Sequence, residues 1–82
     1  MILSAEITMY PLQDDYRPKI KAFIDQLAVA SSLRRETFPT CTVLSGDHEE
    51  LMALLSAMMK WSHETLGKAV FVVKFLPGYE AI

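Results

Sequence analysis

Along this chain a hydrophobic period of two residues gives way to one of about 3.6 and back again, in the order strand, helix, strand, strand, helix, strand. Gly and Pro mark most of the changes, at Pro11, Pro39, Gly46, Gly67 and Pro77-Gly78. From Ile2 to Tyr10, Leu3, Ala5, Ile7 and Met9 alternate with Ser4, Glu6, Thr8 and Tyr10, the pattern of a strand with one apolar face. Pro11 closes that strand, and Asp14 or Asp15 is placed to cap a helix with Pro18 early in it, where a missing N–H costs little. Tyr16, Ile20, Phe23, Ile24 and Leu27 recur at helical spacing to about Ala30. Leu33 to Phe38 and Thr40 to Ser45, parted by Pro39, read as an antiparallel hairpin. Asp47 with Glu50 three residues on resembles a capping box, followed by the stripe Leu51, Leu54, Leu55, Met58, Ser62 and Thr65 as far as Gly67. Val70 to Leu76, a β-branched and aromatic run with Lys74 inside it, is the last strand.

This order predicts an α+β fold of the ferredoxin-like βαββαβ kind, a four-stranded antiparallel sheet with two helices on one face. At 82 residues the chain is expected to form a single domain, residues 1–82, because two cores would leave each too small. Strands one and three should lie at the centre, with Leu3, Ala5, Ile7, Met9, Phe71, Val73 and Phe75 toward the helices. The opposite face, carrying Glu6, Thr8, Tyr10, Val72 and Lys74, is then expected to be bare and half apolar. On a domain this small such a face calls for a cover, a ligand or a second subunit, so a homodimer or homotetramer through the open sheet face is expected.

Composition removes several classes of function. A net charge of -2 gives no basic field to draw the chain onto phosphate backbones, so no nucleic acid partner is expected. The longest apolar run, Ala69 to Val73, is far too short for a membrane span, and the first residues lack the pattern of a signal peptide. Cys41 stands alone, which favours a reducing cytoplasm over a disulfide-built secreted domain. His48 and His63 lie about four helical turns apart, so no metal site is expected from them. Leu44-Ser45-Gly46-Asp47 holds one glycine and no lysine, unlike a nucleotide phosphate loop. No cofactor is expected.

The stretch from Ala5 to Tyr16, AEITMYPLQDDY, together with Thr42-Val43-Leu44-Ser45-Gly46-Asp47 leading into a helix, resembles the YkoF-type thiamin/hydroxymethylpyrimidine-binding family and the related small thiamin-binding-like proteins. The likeness covers nearly the whole chain as one repeat, where YkoF-type proteins carry two in tandem. It implies non-enzymatic binding of thiamin or its hydroxymethylpyrimidine precursor, in uptake or salvage.

The residue chemistry is compatible with that ligand class. Thiamin joins a cationic thiazolium to an aminopyrimidine, so its pocket wants a carboxylate, an aromatic face and hydrogen-bonding groups. Glu6, Thr8, Tyr10, Thr42, Ser45 and Lys74 are the candidate ligand-binding residues. Glu6 has an alternative use, a cross-strand ion pair with Lys74. Tyr10 and Tyr16 flank the Pro11 loop, where Tyr10 can stack on a flat ring and Tyr16 can equally begin the buried stripe of the first helix. Thr40 and Thr42 alternate with Cys41 and Val43, placing two hydroxyls on one sheet face, and both also suit an ordinary strand. Two other classes stay open: a ferredoxin-like oligomerisation or regulatory module without this ligand, and a cofactor-free small dimeric enzyme using an acid such as Glu6.

Overall fold

The computed structural model describes residues 1–82 and has the element order β1 (Ile2–Pro11), α1 (Tyr16–Ala30), β2 (Arg34–Phe38), β3 (Cys41–Asp47), α2 (His48–Leu66) and β4 (Ala69–Pro77). The four strands form one sheet in the order β2-β3-β1-β4, every neighbouring pair antiparallel, which is the ferredoxin-like arrangement. The odd-numbered residues of β1, from Leu3 to Met9, join Phe23 and Leu27 of α1 and Leu51, Leu54, Leu55 and Met58 of α2 in one buried cluster, so both helices cover the same face. Burying each of the Leu, Ile, Met and Phe side chains contributes about 1.5–3 kcal/mol, and this cluster is what holds the two layers together.

Of the stripe expected on α2, Leu51, Leu54, Leu55, Met58 and Ser62 are buried, while Thr65 in the last turn is exposed. Its start is built as the spacing predicts, with the Asp47 carboxylate accepting hydrogen bonds from the Glu49 and Glu50 amides at 3.1 and 3.2 Å. Its end is set by Gly67, whose φ of 94 and ψ of -162 lie in a region open essentially to glycine alone.

Three expectations need correction. Asp15 occupies the cap position of α1 but its side chain makes no capping hydrogen bond. The hairpin turn is Pro39-Thr40, so β3 begins at Cys41 and runs on to Asp47, and Thr40 is a turn residue. Finally, the sheet face opposite the helices is bare only in part. The four residues from Tyr79 to Ile82 are tied across one end of it, where the Ser4 hydroxyl donates to the Tyr79 carbonyl at 2.6 Å and accepts from the Ala81 amide at 2.9 Å. Ser45 lies opposite Ser4 on β3, with the two hydroxyls 3.0 Å apart, and Glu80 reaches Arg34 on the far strand β2. Ser4 and Ser45 are both buried here, and it is the Ser4 hydroxyl that supplies the partners the strap's backbone needs, with the Ser45 hydroxyl bonded to Ser4.

No helix is long and apolar enough to cross a membrane.

Candidate functional site

A cavity of about 340 Å³ opens between the first half of α1, the end of β1 and the β2–β3 hairpin, and it takes in residues of both parities of β1, so it wraps the end of the sheet. Its size falls in the ordinary range for small-molecule sites. The floor is the end of β1, from Ile7 to Pro11; one wall is α1, through Tyr16, Ile20, Phe23 and Ile24; the other is the hairpin from Phe38 to Thr42. Each wall follows from local sequence. Pro11 ends β1 and turns the chain outward, so Tyr16 opens α1 above the strand's end, and Ile20, Phe23 and Ile24 follow on the same face at helical spacing. The two-residue turn at Pro39-Thr40 carries the hairpin tip up to the same level.

The rim is aromatic and exposed: Tyr10, Tyr16 and Phe38 are 54%, 46% and 43% accessible. Three large rings left in water around one cavity are poorly explained by packing alone. The Arg17 guanidinium lies over the Tyr16 ring, 5.9 Å from its centroid. Inside, Thr42 is buried and its hydroxyl shares a hydrogen bond with Thr37 at 3.2 Å, which leaves it further bonding capacity toward the cavity. The Thr8 hydroxyl is committed to the Thr40 carbonyl at 3.1 Å and fastens the hairpin tip to β1. No carboxylate, amine, guanidinium or imidazole lines the cavity.

The six residues singled out from the sequence divide into three groups. Thr8, Tyr10 and Thr42 line the cavity. Glu6 and Lys74 are direct partners across β1 and β4, and on the open face Lys74 Nζ stands 3.3 Å from Glu6 Oε2 with both side chains well exposed. Ser45 is buried under the strap beside Ser4. Thr42 pairs with Ile7 in the β1–β3 register and so shares the helix side with it, away from Glu6. Tyr16, Phe38, Ile20, Ile24 and Cys41 line the cavity in addition to the residues that the sequence pointed to. Tyr16 had a legible signal, an aromatic residue across the Pro11 loop from Tyr10, whereas Phe38 offered only the pattern of an ordinary strand residue.

A second cavity of about 280 Å³ lies between α2 and the edge strand β4, lined by Met52, Leu55, Ser56 and Met59 from the helix and Phe71, Val73 and Phe75 from the strand. Ile7 and Phe23 line both cavities.

Comparison with known proteins places this geometry among relatives. A model of the YKOF-related family matches residues 2–75. No curated protein matches. Among solved structures, a Thermotoga maritima protein provisionally named a thiamine biosynthesis/salvage protein is similar at 19% identity and a TM-score of 0.81, over 99% of this chain and 86% of its own. A Streptococcus pneumoniae protein is similar at 24% identity and a TM-score of 0.79, over 96% of this chain and 89% of its own. A hypothetical protein of Methanocaldococcus jannascii follows at 20% identity and 0.77, over 99% and 84%.

Proposed function

The chain belongs to the YKOF-related family, and on that premise we propose that it binds thiamin or its hydroxymethylpyrimidine precursor, without transforming it, in the cavity between α1 and the β2–β3 hairpin. The observation that carries this reading is the exposed ring of Tyr10, Tyr16 and Phe38 around a largely apolar cavity with a threonine hydroxyl inside it. A flat heteroaromatic ring would stack on the rim and present its nitrogens to Thr42. The Thermotoga maritima neighbour is itself named for thiamine biosynthesis or salvage. Glu6 is not needed: its carboxylate already has Lys74. The cationic thiazolium of thiamin would find aromatic faces at the rim. Asp14 and Asp15, exposed and directly before Tyr16, add negative charge on the loop that leads there.

We further propose that the protein works as a homodimer or homotetramer through the open sheet face, in the cytoplasm, serving uptake or salvage. Support for the assembly comes from Val70 and Val72, both about half exposed on the part of that face the strap leaves free. The lone thiol of Cys41 suits a reducing compartment.

The test is calorimetric titration of thiamin and of hydroxymethylpyrimidine into the parent protein and into Tyr16→Ala and Thr42→Val. Binding to the parent, weakened roughly tenfold or more in Tyr16→Ala for about 1.4 kcal/mol of lost stacking, is the expected result. No heat at millimolar ligand would refute the proposal.

A further inference from the structure

Phe23 is 3% exposed, projects from α1 between the two cavities, and packs its ring on Phe71 of β4 with centroids 5.1 Å apart. Opposite it in the same wall is Ile7 of the central strand β1, and these two side chains are the only residues common to both linings. On one side lies the cavity with the aromatic rim and Thr42; on the other lies a chamber bounded by Met52, Met59 and Phe75, with Ser56 its single polar side chain. This second cavity is an open cleft, with Met52, Met59 and Phe75 each about 41–50% exposed, and an apolar group laid in it would take apolar surface out of water.

We propose that Phe23 is the specificity-determining residue of the ligand site: with Ile7 it forms the partition that limits the site to a compact ring, and behind it the second chamber is preformed to take an apolar extension once the partition is shortened. This inference rests on the reading of the first cavity as the ligand site. The chemistry of the two chambers sets the class of ligand the opened site would hold, a flat polar heteroaromatic head at the rim and an aliphatic tail among Met52, Met59 and Phe75. Phe23→Leu is the variant of choice because it shortens the partition while keeping an apolar side chain in the core, where truncation to alanine would leave a large hole. Phe23→Leu combined with Ser56→Phe refills the second chamber and serves as its control.

The methionine methyls report on each chamber separately, Met9 on the first and Met52 and Met59 on the second. Methyl-labelled parent and variants are titrated by NMR with hydroxymethylpyrimidine, with the same ring carrying a hexyl ether on its hydroxymethyl oxygen, and with 1-octanol. The expected result is that the plain pyrimidine shifts Met9 alone in the parent. The hexyl ether should bind Phe23→Leu at least about tenfold more tightly than the parent, shifting Met9, Met52 and Met59 along one binding curve, and the gain should vanish in the double variant. Octanol needs no pyrimidine site: it should give one common curve for Met9 and Met59 in Phe23→Leu and separate curves in the parent. If the plain pyrimidine shifts nothing, the ligand reading fails and the octanol arm still decides the partition. A folded Phe23→Leu with no gain for either tailed probe, or a parent that already shows one common curve, would overturn the inference.

Discussion

At the scale of single residues, the charges and the hydroxyls have separate duties. Glu6 and Lys74 satisfy each other in water across two strands, and exposed pairs of this kind contribute about 0–1 kcal/mol. Glu6→Gln is therefore expected to lower stability by less than about 1 kcal/mol in a urea titration and to leave thiamin affinity within about twofold. A tenfold loss of affinity would return Glu6 to the site. Asp15, released from capping, is expected to act only through its charge, so Asp15→Asn should weaken thiamin by up to about fivefold, the equivalent of about 1 kcal/mol, and leave the neutral pyrimidine unaffected. Calorimetry with both ligands separates the two. Gly67 carries a backbone duty: Gly67→Ala forces an L side chain into φ 94, beside the Gln13 side chain, and should cost roughly 1–3 kcal/mol in denaturant unfolding.

At the scale of elements, what the sequence made legible depended on whether one face or two were apolar. β1 alternates in sequence and α2 holds one stripe, so both were readable except at Ser4, which is buried on the face expected to be bare, and Thr65, which is exposed. β3 was not readable in this way, because Thr42 and Leu44 on one parity and Cys41 and Val43 on the other are equally compatible with burial. Only the register with β1, Ile7 opposite Thr42, decides which hydroxyl meets the cavity. The two helix starts make the same point about capping. Both offer an aspartate, yet only Asp47 reaches the following amides. Asp47→Ala is accordingly expected to cost about 0.5–2 kcal/mol, and Asp15→Ala a few tenths at most, as read from paired thermal unfolding curves. Equal losses would contradict the observed geometry.

At the scale of the whole molecule, two features depend on contacts distant in sequence. The strap beyond Gly78 has no periodicity, and its hold on the sheet comes from Ser4 and Arg34, which lie 46 to 77 positions away from their partners Tyr79, Glu80 and Ala81. The cavity exists because the end of β1, the start of α1 and the hairpin tip meet; Tyr10 and Tyr16, flanking the Pro11 loop, were legible in the sequence, whereas Phe38 reads locally as an ordinary strand residue. The free part of the open face carries the assembly proposal. Light scattering at micromolar concentration is expected to give a mass at least twice 9.3 kDa, and a monomer mass would remove the proposal. The position of the ligand itself bears most directly on the account as a whole. A crystal structure of the protein grown with thiamin should show the pyrimidine ring between α1 and the β2–β3 hairpin, against Tyr10, Tyr16 and Phe38 and within hydrogen-bond reach of Thr42. Thiamin found instead on the open face beside Glu6 and Lys74 would contradict it.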